Sequence, residues 1–426
     1  MWFAGIDWAD QHHDVVVLDG DGRQVASARV AHSVEGLAQL SALLRGLVAP
    51  DGQLEDVVCL VETSQGLLLT ALLDAGLCVY PVNPKRVDGM RPPSGAKTDA
   101  LDALLLARTG RSDWPNLRRL RPDTPLLQEL KTLTRDLTSL LAEQTRLVNQ
   151  LTACLKAYYP SALTCFDGLT RHVTQVFLAR FPSPEQAQAA AVEEFTHLLR
   201  DAHYPQPQDK AQALWEQFHQ PQLQAAPGVA RAKRRLMLAL LAQLELVGEQ
   251  IAAYDQAIGE LCTQHADSTL FASLPGAGRR LAPRLLAEWG DDRTRYGSAA
   301  SVQALAGTAP VLVQSGTWRR VRWRTACVNP LRQTLYHLAR ESVLCDDWAK
   351  AYYRRKRQEG KSHAAALRAL ANRWVRILYA MWRDHTPYDP ALFAAAQHAH
   401  SAHPAHAPNA LQSSPGPDTP QTPDAA

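Results

Sequence analysis

No Cys-x-x-Cys pair occurs in the 426 residues, and the seven cysteines (Cys59, Cys78, Cys154, Cys165, Cys262, Cys327, Cys345) are scattered and odd in number. That pattern argues against a disulfide framework and a structural zinc site, so they read as reduced packing residues. No uninterrupted apolar run reaches the ~18 residues that cross a bilayer, so no membrane span is expected. The opening Met1-Trp2-Phe3-Ala4-Gly5-Ile6-Asp7 has no basic flank and meets an acid at once, unlike a signal peptide. A cytoplasmic location is therefore expected. Net charge is nearly absent as well, at +3, but it conceals an asymmetry. From Arg279 to Asp384, 21 Lys and Arg stand against 8 Asp and Glu, an excess of 13, which attracts a polyanion and singles out nucleic acid as partner.

The chain exceeds the size at which single cores stop growing, so two or more domains are expected. Its 46% hydrophobic and 20% charged residues are ordinary for a globular protein. Trp2 to Asp7, Asp14 to Asp19 and Arg23 to Ala31 read as strands, the last two joined by Asp19-Gly20-Asp21-Gly22. Ser33 caps a helix toward Leu47, Val57 to Glu62 is a buried strand, Ser64 to Ala75 a helix and Leu77 to Val82 a strand. This order predicts a hairpin-first mixed sheet with helices on its faces over residues 1–115.

Residues 120–265 carry two heptad stripes. Leu126, Leu130, Leu133, Leu137, Leu140, Leu147 and Leu151 form one, broken only at Gln144, and Leu240, Leu244, Val247, Ile251, Tyr254, Ile258 and Leu261 form the other. Coiled-coil pairing of these helices is open between one chain and two. A helical insertion with Pro breaks and no evident chemistry is expected at about 160–235. A mainly helical unit follows at 266–390, and the Pro-, Ala-, His- and Ser-rich stretch from about Thr386, with 391–426 at its end, predicts a disordered tail.

Four acids stand where chemistry is expected. Asp7 ends the first strand, Glu62 ends Val57-Val58-Cys59-Leu60-Val61-Glu62, and Asp99 and Asp102 share one face of a helix's first turn. An acid alone at a helix start or strand end is ordinary, whereas a charge closing an apolar strand needs a partner. Strand ends of an open α/β sheet face the crevice where ligands bind, and hard oxygen ligands of this kind suit Mg2+ or Mn2+. His12 and His13 lie nearby in sequence and are left unassigned.

In the basic region, Ser273-Leu274-Pro275-Gly276-Ala277-Gly278 followed by Leu281 to Trp289 reads as helix, tight turn and helix. Gly276, Gly278, Arg279 and Arg280 would there offer backbone N–H groups and charge to a phosphate, as in a helix-hairpin-helix motif. Ala306-Gly307-Thr308-Ala309-Pro310 and Gln314-Ser315-Gly316-Thr317 precede Arg319, Arg320, Arg322 and Arg324. Alternation around Val321 and Trp323 predicts a strand with a charged face for phosphate. Tyr352-Tyr353-Arg354-Arg355-Lys356-Arg357 fits a nucleic-acid contact and a solvated helix face equally.

Gly5-Ile6-Asp7-Trp8-Ala9 with His13-Asp14-Val15-Val16-Val17, Val61-Glu62-Thr63-Ser64, and Lys97-Thr98-Asp99-Ala100-Leu101-Asp102-Ala103 resemble the acidic motifs of the DEDD transposases of bacterial insertion sequences. The resemblance runs from Gly5 to about Pro390. It implies an RNase H-like N-terminal domain similar to a Holliday-junction resolvase, with Asp7, Glu62, Asp99 and Asp102 as metal ligands. It also implies a C-terminal transposase domain in which Ser315 matches the family's nucleophile. Strand cleavage through a covalent phosphoserine, assembly as a dimer or tetramer with a composite site, and guidance by a structured RNA are further implications. Thr325-Ala326-Cys327-Val328-Asn329-Pro330 stands where relatives carry a Lys- and Gly-containing turn, which leaves the loop's shape open.

Three rivals remain on the sequence alone. A resolvase-like nuclease would use water, with Ser315 structural. An actin-like ATPase also opens with Gly-Ile-Asp on a strand, but needs a second glycine-rich phosphate loop that is missing between Glu62 and Asp102. A non-catalytic DNA-binding protein would use only the hairpin and arginines.

Overall fold

The computed structural model describes residues 1–48, 53–62, 66–91 and 97–391. Alternating apolar residues fold the N-terminus into a meander of β1 (Trp2–Trp8), β2 (His12–Leu18) and β3 (Gln24–Ala31), paired antiparallel. The Asp19 carboxylate accepts from the Asp21 and Arg23 amides at 2.9 and 2.8 Å, an Asx turn closed by Gly22 at φ +88°. Helix α1 (Val34–Arg45) is capped by Ser33, whose Oγ accepts from the Gly36 amide. After β4 (Val57–Val61) come α2 (Leu67–Asp74), β5 (Cys78–Pro81), α3 (Pro84–Asp88) and α4 (Asp99–Asp113). Thr63 and Ser64, the latter expected to open the second helix, lie outside the described residues.

β4 and β5 add in parallel, giving the five-stranded order β3-β2-β1-β4-β5. Period-2 alternation sorts the core by face. Ala4, Ile6, Val57, Cys59 and Val61 pack toward α1 and α2. Phe3, Val58 and Leu60 pack with Leu105 and Leu106 of α4 on the other face. The second strand begins two residues before its predicted start because His13, fully buried, pairs with Trp8 in the ladder and meets His32 Nδ1 at 2.9 Å through Nε2.

The two heptad stripes belong to α5 (Pro125–Tyr158) and α10 (Pro227–Thr263), which pack against each other within the chain. They run antiparallel: Leu127 and Leu130 share a core with Ile258 and Cys262, while Leu147 and Leu151 share one with Met237 and Leu240. Leu127, Leu155 and Leu241 are buried although they lie off the stripes, because third elements clasp both ends of the pair. At the far end these are α6 (His172–Arg180), α7 (Pro184–Ala189), α8 (Val192–Asp201) and α9 (Pro207–His219). Phe177, Phe195 and Phe218 stack at the centre of this cap. Although the run is interrupted, α10 contains a stretch of mean hydropathy 1.5, long and apolar enough by composition to cross a bilayer. Its Met237, Leu240, Leu241, Leu244 and Ile251 are spent inside the protein.

The near end of α5 and α10 joins α11 (Ser268–Ala272), α12 (Gly278–Trp289), α13 (Ala299–Leu305), the hairpin β6 (Val311–Ser315) and β7 (Trp318–Arg322), α14 (Asn329–Cys345), α15 (Asp347–Gln358) and α16 (His363–Asp384). Trp289, Trp374 and Trp382 fill their core. Trp374 donates to Ser342 Oγ and Trp382 to the Gly290 carbonyl, which satisfies these two indoles, while the Trp289 Nε1 is buried without a partner. Order extends past Thr386, where a tail was expected: the Tyr388 hydroxyl accepts from Trp348 at 2.7 Å and donates to Asp346 at 3.0 Å. The tail residues 392–426 lie outside the described residues.

Candidate functional site

The sheet brings the N-terminal acids to one edge. Ile6 pairs with Val61 in the parallel β1–β4 ladder, so Asp7 and Glu62 leave neighbouring strands at the same level. Asp7 also sits opposite Asp14 in the β1–β2 register. Helix α4 lays its first turn over this edge because β1 has no side chain at Gly5: a Cβ there would overlap the Ala103 carbonyl and the Ala107 amide. Thr98 caps α4, accepting from the Leu101 amide, and so fixes the turn carrying Asp99 and Asp102.

The electrostatics record this crowding. Burial first, then Asp102, Asp99, Glu62 and Asp14, push the Asp7 carboxyl up to about 6. Glu62 is raised too, by burial and then Asp102 and Asp88, with Arg91 and Lys97 opposing. Such mutual repulsion is relieved by a cation or a proton. Two arginines already do part of this. Arg91 Nη2 lies 2.8 Å from an oxygen of Asp102, and Arg29 grips Asp14 through two hydrogen bonds of 3.1 and 2.9 Å, with Asp99 3.8 Å away.

Among the described residues, the tightest group of ligand atoms is not the four acids but His12, Asp14 and Asp99, all within 4.8 Å of one another. His12 Nε2 is 3.8 Å from Asp14 and 3.7 Å from Asp99. Asp7, Glu62, Asp99 and Asp102 thus share one edge and one field, while Asp102 is turned onto Arg91. The donor set, carboxylates with one imidazole beside them, fits a hard divalent cation. Sequence reading missed Arg29, Arg91 and Asp14. The hairpin register would have found Asp14, since pairing Trp8 with His13 places it across from Asp7.

Ser315 stands on a different element. It ends β6, pairs with Trp318 and precedes Gly316 at φ +55°, in a two-residue hairpin loop. Every residue of β7 is solvent-exposed, and so is Ser315. The register puts Arg320 and Arg322 on the Ser315 face and Val321 on the other with Leu312, so the expected charged face exists. Arg319 lies on the Val321 face and Arg324 beyond the strand. The base is held by Trp323, which lies between the guanidinium groups of Arg332 and Arg368 at 4.9 and 4.3 Å. Arg332 also donates to the Arg324 carbonyl at 2.8 Å.

Gly276 and Gly278 have positive φ, +73° and +51°, in the turn between α11 and α12. Gly276 lies tight against Glu341 of α14, whereas Gly278 is open. Arg280 is committed to Asp255 through bonds of 2.7 and 2.5 Å, and Arg279 remains exposed. In the Tyr352–Arg357 cluster, Arg355 and Lys356 fold back over the Tyr352 ring and Lys356 pairs with Glu359.

Comparison with known proteins gives consistent matches. A family model described as "Transposase" matches residues 4–160, and one described as "Transposase IS116/IS110/IS902 family" matches residues 268–354. The chain is similar to the "Mini-circle putative transposase for IS117" of Streptomyces coelicolor, at 33% identity over 92% of this chain and 98% of the relative. It is similar to an IS900 insertion-element protein of Mycobacterium paratuberculosis, at 28% identity over 93% and 99%. An IS116 insertion-element protein of Streptomyces clavuligerus matches at 30% over 92% and 96%.

Proposed function

The chain belongs to the IS116/IS110/IS902 family of transposases, enzymes that cleave and rejoin DNA, and from that membership we propose that Ser315 is the nucleophile and the N-terminal acids hold the divalent metal. The observation that carries the metal half is the convergence that pushes Asp7 up to about 6. Asp7, Glu62, Asp99 and Asp102 would hold Mg2+ or Mn2+. When bound, such a cation neutralises charge on the scissile phosphate and its leaving oxygen.

Ser315 Oγ attacks the scissile phosphorus, a bridging P–O bond breaks, and the released strand end leaves as a hydroxyl after taking up a proton. The serine proton passes to a nearby carboxylate or to water. A phosphoserine keeps the ester bond, so a strand hydroxyl can attack it and rejoin without an added energy source. Arg320 and Arg322, on the Ser315 face, stabilise the charge that develops on phosphate. An exposed hairpin tip supplies no base of its own, which favours a composite site completed by the acid-bearing domain of another copy in a dimer or tetramer. The absence of a recognisable base-reading motif favours a structured guide RNA as the reader of sequence. An enzyme acting on DNA in this way would work at the nucleoid.

The test is a denaturing-gel assay for a covalent protein–DNA adduct with element-end DNA, Mg2+ and co-expressed flanking RNA. An adduct lost in both Ser315→Ala and Asp99→Asn is expected. Cleaved DNA without adduct, insensitive to Ser315→Ala, would instead identify a water-using nuclease.

A further inference from the structure

Between α5, the turn entering α12, and α14 lies an open cleft of about 630 Å³, within the size range of small-ligand sites. Its two walls differ in chemistry. The α5 wall is apolar: Leu137, Leu141 and Ala142 line it, and Thr134, Thr138 and Thr145 donate their hydroxyls to their own helix backbone, leaving methyl groups to face the cleft. The opposite wall carries Arg279, Arg284 and Arg340 with His337 and one acid, Glu341, which accepts from Arg340 at 2.9 and 2.6 Å and leaves the wall net positive.

Arg284 is the informative member. Its Nε is shut off from solvent and has no hydrogen-bond partner, and one terminal nitrogen makes only a 3.4 Å contact to Gln333. Glu288, one turn further along α12, is already gripped by Arg135 through bonds of 2.7 and 2.9 Å. A guanidinium whose Nε donor is desolvated and unused is a costly arrangement unless an anion completes it. Burial, then Arg284 and Arg340, hold the His337 imidazole below its ordinary pKa, as expected in a positive field.

A ligand that satisfies both walls has an anionic group and an apolar part, as a nucleotide has in its phosphate and base. We propose that this cleft is a subsite for an unpaired nucleotide of the nucleic-acid substrate, its phosphate on Arg279, Arg284 and Arg340 and its base on Leu137, Leu141 and Ala142. The rim residues Ala142, Thr145, Arg279 and Arg340 are exposed, so a strand can enter sideways without threading. The proposal rests on nucleic acid being the substrate, but needs neither Ser315 nor the metal.

The experiment is fluorescence anisotropy of the full-length protein with a labelled short oligothymidylate and with its abasic counterpart of equal charge, in EDTA. The wild type should bind the base-bearing probe about tenfold more tightly, the scale of one base contact. Arg284→Gln and Ala142→Glu should each lose about tenfold, with thermal melting unchanged in Ala142→Glu, whose site is exposed. Equal affinity for the abasic probe would reduce the cleft to a cationic patch and overturn the proposal. So would an Ala142→Glu variant that binds oligothymidylate normally but sediments at a smaller mass, which would make the cleft a protein-docking groove. Failure of the Ser315 adduct assay leaves this binding untouched, so the two readings fail separately.

Discussion

Asp7 sets how the metal-free site answers to pH. Its carboxyl titrates near 3.8 when ordinary and at about 6 in the folded protein. Between these values the native state holds a proton that the unfolded chain has released, so stability falls as pH rises through that window. Above it the full penalty of packed carboxylates is present unless a cation replaces the proton. The expected result in EDTA is a melting temperature that declines from about pH 4 to about pH 6, with added Mg2+ flattening the decline and Asp7→Asn removing most of it. An equal decline in wild type and Asp7→Asn would show that the repulsion is not centred there. The residue types of this site were legible because an acid closing an apolar strand is conspicuous. Arg29 and Arg91 were not, because nothing local in their neighbourhoods marks them as counterions to acids that other elements supply.

At the scale of elements, the decisive contact is α4 on β1. A helix can bring its first turn over the strand end only if the strand beneath lacks a Cβ, and Gly5 meets that condition; farther along, Gly110 of α4 itself lacks the Cβ that would overlap the Leu60 side chain of β4. Gly5→Ala therefore costs about 1–3 kcal/mol through overpacking and shifts Asp99 and Asp102 away from Asp7. Denaturant unfolding and Mn2+ binding, both measured on Gly5→Ala, should weaken together; unchanged metal affinity would show that α4 does not position the acids. The β6–β7 hairpin is the opposite case. A two-stranded ribbon is marginal alone, and this one keeps both faces in solvent, pinned at its base by Trp323 between two arginines. Its second strand was readable from the alternation around Val321 and Trp323 and its first was not, and its exposure depends on what packs nearby, which alternation does not encode.

Across the whole molecule, a few ion pairs join the units. Residues 117–125 form a docked connector: the Leu120 amide donates to the Val79 carbonyl of the sheet, Asp123 pairs with Lys131 and Arg295, and Thr124 donates to Asp291. Arg135 and Glu288 then bind the long helix α5 to α12, with the Glu288 side chain only 1% exposed. Removing one partner leaves a buried charge alone, so Arg135→Ala should cost about 3 kcal/mol in denaturant unfolding. The double variant Arg135→Met, Glu288→Leu should lose less than either single change, because it leaves no orphan. Additive losses would show that the pair is not coupled.

The sequence by itself determined the strands of the N-terminal sheet, the heptad stripes, the basic C-terminal half and the acids, because period, residue type and short-range spacing are local properties. The tertiary structure decided that the stripes pair within one chain and that Asp14 and His12 stand beside Asp99. It also decided that Arg280 is spent on Asp255 and that Arg284 is left with a free donor in a cleft. Those outcomes depend on which side chains meet across distant segments, and that is settled by packing and burial rather than by any local pattern.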